Sequence, residues 1–286
     1  MKDKDSARLF ILSFMLTLFI VSLMYLFMTV TVHPHAPPER QIAAEEAYIP
    51  REEDALTLMF FGTQIPGGVA ETYILLRFDP VRRRILVVPF LPQTEISYAG
   101  GNETLAYLYR FGGAQYASDA LSEYLQIQID RFVRISMSNF ILAANVVGRV
   151  EYEIEEEMTL IEGDAVITLN PGLQLLDGRM IATIVTQPGL TPEERAALTG
   201  KLAAAGINQR IDIVRSTLID AVFERIINLI DTNISFIDYE QRKAPAIFIA
   251  DEDNPAELIL PDGVWADDVF RLHDTFIARL AHAFNS

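Results

Sequence analysis

The sequence predicts an α/β (α+β) fold, a mixed central sheet flanked by helices, preceded by one N-terminal transmembrane helix. Three observations support this prediction. Residues 9–32 form an unbroken stretch without charge. Beyond it, short apolar runs typical of strands are interspersed with segments whose apolar residues recur at helical spacing. No repeat is visible in the 286 residues, so we expect one folded domain after the apolar stretch.

The uncharged stretch 9–32 is long enough to cross a bilayer. Twenty-four residues of α-helix extend roughly 36 Å, whereas the hydrocarbon layer is about 30 Å thick. A cleaved signal peptide is the alternative, but its apolar part would be shorter and would end in a small-x-small cleavage site. The sequence instead continues with Thr-Val-His-Pro-His-Ala-Pro-Pro, which favours an uncleaved membrane anchor.

Basic residues predict the orientation of this helix. Lys2, Lys4 and Arg8 precede it, and no Lys or Arg follows before Arg40. Positive residues stay in the cytoplasm, so we expect a single-pass protein of the cell membrane with its N-terminus inside and its C-terminal domain extracellular. The predicted organisation is a cytoplasmic N-terminus (1–8), a transmembrane helix (9–32), an extracytoplasmic linker rich in Pro, Glu and Ala (33–54) and the folded domain (55–286).

The charge balance excludes one class of function. The chain holds 39 acidic and 23 basic residues, and the part after residue 32 retains 37 acidic and 20 basic ones. A domain this acidic does not attract polyanions by its overall field, so nucleic acid is not an expected partner. Any phosphate would need a local arginine cluster or a divalent cation. Cysteine is absent, which removes thiolate metal sites and cysteine nucleophiles.

The predicted domain opens with strands. A buried strand is expected at residues 56–62, and strands at 72–79 and 84–90 flank an Asp-Pro turn and form a hairpin. Further strands are expected at 130–136, 151–155, 246–250 and 257–260. Helices are expected at 103–111, 115–126, 138–146, 191–205, 208–231 and 267–284, with a turn and a short helix at 172–182.

Well-known catalytic signatures are missing, but the order of elements resembles a family. The segment E-T-Y-I-L-L-R-F-D-P-V-R-R-R-I-L-V-V-P-F-L-P-Q-T resembles the opening of the LytR–CpsA–Psr domain, which has an Asp-Thr-led strand, a D-P turn, a basic hairpin and a Pro-Arg-Asp-Thr loop. The similarity extends over about residues 56–230. Its further segments are 105–113, 124–135, 145–152 and 172–178.

The resemblance implies a function at the cell envelope. Members of this family hold a polyprenyl (pyro)phosphate lipid in an apolar tunnel, with its head group on arginines and Mg²⁺. They transfer cell-wall polymers from that lipid to peptidoglycan. The implied partners are therefore the bilayer, through residues 9–32, and a polyprenyl (pyro)phosphate lipid or anionic wall polymer.

The resemblance also implies site residues, although the sequence departs from the family pattern there. Glu71-Thr72 replaces the family's Asp-Thr, so Glu71 is the candidate Mg²⁺ ligand. Gln64 stands where the family's first Asp is expected, and Gln93 and Thr94 stand where an Asp-Thr pair follows an Arg. The remaining candidates for substrate binding are Arg84, in the basic hairpin, and Arg210, at the position of a late family arginine.

Three functions remain open from the sequence. With several family arginines replaced, each worth a few kcal/mol of charge-assisted binding, the first hypothesis is a non-catalytic pseudoenzyme that binds lipid-linked polymer or scaffolds its assembly. The second is an active phosphotransferase that uses Glu71-bound Mg²⁺. The third is an unrelated exported α/β domain, which would lack an apolar tunnel beside residues 62–72 and 90–95.

Overall fold

The computed structural model describes residues 48–162 and 165–285. The predicted cytoplasmic segment, the transmembrane helix 9–32 and most of the predicted linker lie outside this part of the chain. Within the described residues, no helix combines the length and the hydropathy needed to span a bilayer.

A six-stranded mixed sheet forms the centre of the domain. Its strands are β1 (Leu56–Thr63), β2 (Ala70–Asp79), β3 (Arg84–Phe90), β6 (Arg131–Ser136), β11 (Asp231–Thr232) and β12 (Ala256–Leu258). Their order in the sheet is β11-β6-β1-β2-β3-β12; β1 runs parallel to β6, β3 runs parallel to β12, and the other neighbours are antiparallel.

Four two-stranded ribbons accompany the sheet. Their strands are β4 (Glu95–Tyr98) with β5 (Gly101–Thr104), β7 (Val150–Ile154) with β10 (Gly172–Leu176), β8 (Met158–Glu162) with β9 (Ala165–Leu169), and β13 (Gly263–Ala266) with β14 (Val269–Leu272).

Seven α-helices are present in the described residues. They are α1 (Leu105–Leu125), α2 (Met137–Val147), α3 (Gly178–Thr186), α4 (Pro192–Arg210), α5 (Ile219–Ile227), α6 (Phe236–Ile249) and α7 (Asp274–Asn285). Short 3₁₀ helices lie at Glu52–Asp54 and Ile211–Arg215.

Helices cover the two faces of the sheet because alternate strand residues point to opposite faces. On one face, Met59 and Phe61 pack with α1 and α7 in the main apolar core. On the other face, Ile74 and Val87 pack against α4. Gly200 permits this close contact, since a Cβ at that position would lie 2.9 Å from the Pro89 Cγ. The predicted mixed sheet flanked by helices is therefore confirmed.

The predicted hairpin and most early elements are confirmed. β2 and β3 pair from Asp79↔Arg84 to Tyr73↔Phe90, with the turn after Asp79 as expected. The two helices predicted at 103–111 and 115–126 are joined in α1, which is interrupted at Gly113, where φ is 75°. Only glycine adopts this backbone conformation without strain, so the Gly-Gly signal marks a kink rather than a loop.

Three predictions about the C-terminal third are wrong. The helix predicted at 208–231 is divided between the end of α4, a 3₁₀ turn and α5. The break falls at Ser216, whose backbone is extended and whose hydroxyl accepts a hydrogen bond from the Leu218 amide. The strand predicted at 246–250 is the end of α6, and the helix predicted from residue 267 begins at Asp274, after β14.

Candidate functional site

A large apolar cavity lies between the sheet and the helices on the α4 side. Its volume is about 630 Å³. Phe60, Ile74 and Val133 contribute the sheet wall, and the facing walls come from α2, α3, α4, α5 and the segments that flank α5. Among the helical lining residues are Phe140, Ala144, Val185, Leu202, Ala203, Ile207, Phe223 and Ile226. A cavity lined in this way suits an extended hydrocarbon chain.

One face of α4 forms much of the wall. Thr199, Leu202, Ala203, Gly206, Ile207 and Arg210 line the cavity and follow each other at the spacing of one helical face. Thr199 and Arg210 are separated by about 16 Å along the helix axis, so the cavity runs beside three helical turns.

A smaller and more polar cavity of about 360 Å³ adjoins the first one. The two cavities share Gln64, Glu71, Thr72 and Thr199 among their lining residues. Gln93 and Arg195 line only the smaller cavity. The larger cavity therefore has a polar end at the loop between β1 and β2.

Local backbone structure positions these polar groups. β1 and β2 change register between Gly62 and Thr63, and Gly62 lies so close to Thr72 that an added Cβ would be 2.9 Å from the Thr72 Cβ. Gln64, directly after β1, and Glu71, at the start of β2, therefore lie side by side. Gln64 Nε2 donates a hydrogen bond of 2.8 Å to Glu71 Oε2, so this part of the predicted site is brought together.

Behind Glu71 the site rests on a buried tyrosine. The Tyr73 hydroxyl donates to the Ala70 carbonyl at 2.9 Å. Burial raises the pKa of Tyr73, and the neighbouring Tyr109 and Glu71 raise this pKa further. Tyr73 is therefore a neutral hydrogen-bond donor at all physiological pH values and holds the start of β2 in place.

Gln93 and Thr94 connect the site to two other elements through their backbones. The Gln93 carbonyl accepts from the Phe270 amide and the Thr94 carbonyl accepts from the Leu105 amide. Gln93 Oε1 and the Thr94 hydroxyl are buried without a hydrogen-bond partner. Since an unpaired buried acceptor is costly, a rotation of the Gln93 amide towards the smaller cavity would let Oε1 accept a hydrogen bond from a ligand there.

Arg195 is the cation of the smaller cavity, and our sequence analysis did not identify it. Its guanidinium donates to the Val185 carbonyl at 2.6 Å and to the Gln187 carbonyl at 3.3 Å. Among the described residues no carboxylate forms an ion pair with it, so its charge faces only the carbonyl dipoles at the end of α3. The one sequence feature that could have drawn attention to Arg195 is its position in the first turn of the helix that begins at Pro192.

The other two predicted arginines lie elsewhere. Arg84 is at the hairpin end of β3, at the opposite end of the strand from Phe90, and is held by Asp79 and Glu257. Arg210 lines the far end of the apolar cavity, where its guanidinium donates to the Arg149 carbonyl. Neither arginine lies near Gln64 and Glu71. The length of β3 separates Arg84 from the polar end of the cavity, and three turns of α4 separate Arg210 from it.

The donor set fits a divalent cation only in part. Among the described residues lining the two cavities, Glu71 is the only acidic one, and no group of three or more His, Asp or Glu in the described chain is arranged to hold a metal. Mg²⁺ in proteins is commonly held by one or two carboxylates together with substrate phosphates. Glu71, with the Gln64 amide beside it, therefore fits Mg²⁺ that is shared with a phosphate ligand.

Part of the chain is similar in sequence to known proteins. The chain is 34% identical over 89 residues to the polyisoprenyl-teichoic acid–peptidoglycan teichoic acid transferase TagU of Halalkalibacterium halodurans, which is 30% of this chain and 29% of that protein. It is 30% identical over 90 residues to TagU of Enterococcus faecalis, which is 31% of this chain and 30% of that protein. The chain thus matches less than a third of the length of these relatives.

Solved structures share the fold. A protein of Eubacterium siraeum matches with a TM-score of 0.74 at 18% identity, over 83% of this chain and 94% of that one. TagV of B. subtilis matches with a TM-score of 0.69 at 17% identity, over 81% and 96%. A structure of TagT bound to LIIa-WTA matches with a TM-score of 0.65 at 15% identity, over 85% and 96%.

A family model matches a longer part of the chain than the two relatives above. The model of the LytR_cpsA_psr family covers residues 29–184, which is more than half of the chain. This match rules out the third interpretation, an unrelated α/β domain. With the sheet, the cavity and the family model in agreement, the chain belongs to the LytR–CpsA–Psr family.

Proposed function

We propose that this protein binds a polyprenyl (pyro)phosphate lipid that carries a wall polymer at the cell envelope. In this proposal the isoprenoid chain occupies the apolar cavity and the phosphate end lies in the smaller cavity. The observation that supports it is the sharing of Gln64, Glu71, Thr72 and Thr199 by the two cavities, which gives one continuous site with an apolar and a polar part.

The polar part offers a small number of well-defined contacts to a phosphate. Arg195 is the one basic residue among the described residues lining the smaller cavity, and its carbonyl partners leave its positive charge uncompensated. A guanidinium forms charge-assisted hydrogen bonds with phosphate oxygens. Glu71 opposes an anion by its charge, and bound Mg²⁺ would neutralise that opposition.

This distribution of charge favours binding over catalysis. Phosphoryl transfer requires several positive groups to stabilise charge that develops in the transition state. The smaller cavity provides one guanidinium and one carboxylate, and neutral Gln64 and Gln93 stand at positions where the resemblance implied Asp. We therefore propose a non-catalytic member of the family that holds the lipid-linked polymer or scaffolds its assembly, with its folded domain outside the membrane and anchored through residues 9–32.

An active Mg²⁺-dependent phosphotransferase is the second candidate. It is favoured by the position of Glu71 at the junction of the two cavities and by the unpartnered Gln93 Oε1. In that case Glu71 and Gln64 would hold Mg²⁺, which supplies charge neutralisation at the phosphate.

Binding of polyprenyl pyrophosphate to the purified full-length chain, with and without Mg²⁺, tests both candidates. Both candidates are expected to bind more tightly when Mg²⁺ neutralises the Glu71 charge, but a scaffold is expected to release no polyprenyl phosphate from a lipid-linked polymer in the presence of peptidoglycan. Mg²⁺-dependent binding that is lost in Glu71→Ala, together with such release, would establish the enzyme. If the lipid neither binds to the chain nor raises its melting temperature under any condition, both candidates are wrong.

A further inference from the structure

The helix α5 is an unusual wall for an apolar cavity. Phe223, Ile226 and Ile227 face the cavity, yet none of the nine residues of α5 is buried. The wall on the sheet side, in contrast, consists of strands packed between helices. The α5 side is therefore the thin side of the cavity, one helix away from solvent.

Polar and aromatic contacts attach α5 to α6. Asp220 accepts a hydrogen bond of 2.5 Å from the Tyr239 hydroxyl and pairs with Lys243 at 2.7 Å. The Phe223 and Tyr239 rings are stacked with centroids 3.9 Å apart and an angle of 10° between their planes. The cavity wall therefore continues, through Phe223 and Tyr239, to the outer surface of α6.

Large apolar side chains are exposed at this edge. Leu218, immediately before α5, is 66% exposed, and Phe236 and Ile237, in the first turn of α6, are 64% and 66% exposed. The Phe236 ring lies 6.0 Å from the Tyr239 ring, next to the wall of the cavity. We refer to Leu218, Phe236 and Ile237 as the apolar rim. Clusters of exposed apolar residues of this kind mark interaction sites with proteins, membranes or ligands.

The charges around the apolar rim compensate each other. Lys243 pairs with Asp220 and with Glu240, and Asp238 is buried in ion pairs with Arg131 and Arg242, so three basic residues balance three acidic ones. The rim therefore offers neither a basic surface for anionic head groups nor an acidic one for a cationic partner. A contact here derives its free energy from apolar burial, at about 25 cal/mol per Å².

We propose that the apolar rim inserts into the surface of a lipid bilayer, so that the α5–α6 edge is the place where a lipid chain passes between membrane and cavity. The passage of a lipid chain into the cavity rests on the proposed function, whereas the insertion of the apolar rim into a bilayer does not. A lipid surface fits better than a protein partner because the rim continues a cavity wall suited to hydrocarbon, and because the charge pairs beside it are already satisfied within the domain.

Fluorescence quenching tests the insertion. The chain has a single tryptophan, Trp265, which can be replaced by phenylalanine. The full-length chain with Trp265→Phe and Phe236→Trp is reconstituted into phosphatidylcholine vesicles with brominated acyl chains. We expect loss of emission relative to unbrominated vesicles, unchanged when anionic lipid or salt is added. The matched control is Leu173→Trp in the same background, since Leu173 is 68% exposed on β10 and we expect no quenching there.

Emission of the Phe236→Trp chain that is equal in brominated and unbrominated vesicles would overturn the proposal. A blue-shifted emission without bromine quenching would identify a protein contact, such as a second copy of the chain, and would equally overturn it.

Lipid transfer tests the passage. We expect the double variant Phe236→Ser/Ile237→Ser to take up polyprenyl phosphate from vesicles roughly tenfold more slowly, because two inserted side chains are lost. Its binding of the same lipid delivered in detergent, and uptake by the control variant Leu173→Ser, should equal that of the native chain. Equal uptake by the double variant would contradict the passage. If no chain binds the lipid in detergent, the proposed function is wrong, while the quenching result still decides the insertion.

Discussion

Gln64 and Glu71 are joined by a hydrogen bond of 2.8 Å, from the amide Nε2 to the carboxylate Oε2, where the two cavities meet. The Gln64 amide gives the Glu71 carboxylate a hydrogen-bond partner that carries no positive charge. The local field at the polar end is therefore set by Glu71 and Arg195, one charge of each sign among the described lining residues.

Removing the Glu71 charge should strengthen phosphate binding in the absence of Mg²⁺. Two like charges a few ångströms apart repel each other by an amount that corresponds to a several-fold change in affinity. We expect Glu71→Gln to bind polyprenyl pyrophosphate several-fold more tightly than the native chain without Mg²⁺, and to show no response to added Mg²⁺. Titrations at both conditions measure this. Weaker binding by Glu71→Gln without Mg²⁺ would show that the carboxylate makes a favourable contact with the ligand.

Replacing Arg195 should have the opposite effect. Loss of a charge-assisted hydrogen bond costs about 1.5–3 kcal/mol, so Arg195→Ala should bind the phosphate lipid at least tenfold more weakly. Arg195→Lys keeps the charge and should retain part of the affinity, although it loses the forked geometry. Since Arg195 also binds the end of α3, the melting temperature of both variants must be measured beside the affinity. An unchanged affinity in Arg195→Ala would place the phosphate elsewhere.

Filling the apolar cavity should remove the dependence of binding on lipid chain length. In the native chain each buried methylene contributes about 0.8 kcal/mol, so longer isoprenoid phosphates should bind more tightly until the cavity is full. Ala203→Phe introduces a ring into the α4 wall, and we expect its affinity to be low and nearly independent of chain length. Inorganic phosphate, which needs only the polar end, is the control ligand. The same chain-length dependence in both proteins would show that the tail does not occupy this cavity.

The ion pair between Arg131 and Asp238 should make stability depend on pH. Burial alone would raise the pKa of Asp238, but hydrogen bonds from Arg131 and Ser235 outweigh it and hold the pKa well below the usual range. The resulting stabilisation is complete above the unfolded-state pKa of about 3.9 and is lost as the pH falls through that value towards the folded-state pKa.

Asp238→Asn should therefore reduce the free energy of unfolding by about 1–3 kcal/mol at pH 7; the loss is no larger because solvent screens the one-third-exposed Arg131 side chain. Below about pH 4 the substitution should reduce the free energy of unfolding by less. Denaturant titrations across this pH range provide the measurement. Asp231→Asn is the matched control, because the Arg134–Asp231 pair is exposed and should contribute less than about 1 kcal/mol. Equal losses in the two variants would contradict the special role of Asp238.

The sequence predicted those parts of the fold that are determined by residues close to one another in the chain. The Asp79-Pro80 turn and the flanking apolar alternation define the hairpin, and the Thr191 capping box defines the start of α4. The helix predicted at 208–231 was too long because an apolar stripe shows which face is covered but not where a helix breaks. In α6 the capping box from Ser235 to Asp238 signals a helix start, but the apolar run at 246–250 has the length of a strand and follows Pro245.

The candidate site was predicted only in part. Gln64 follows β1, Glu71 lies at the start of β2 and Gln93 comes after β3, so the antiparallel pairing of these strands brings all three to the same edge of the sheet. Arg195 could not be assigned, since its place depends on how α4 packs on the sheet. Arg84 was chosen for its charge, and the hairpin carries it to the opposite end of β3, where Asp79 binds it.

The close packing of Gly200 on Pro89 gives the apolar cavity two mechanically different sides. Where α4 meets β3 the Gly200 backbone lies directly against the Pro89 ring, which leaves no room for α4 to move closer to the sheet. The α5 side is bounded by half-exposed side chains and is compliant. A guest larger than the present volume is therefore expected to displace α5 outward.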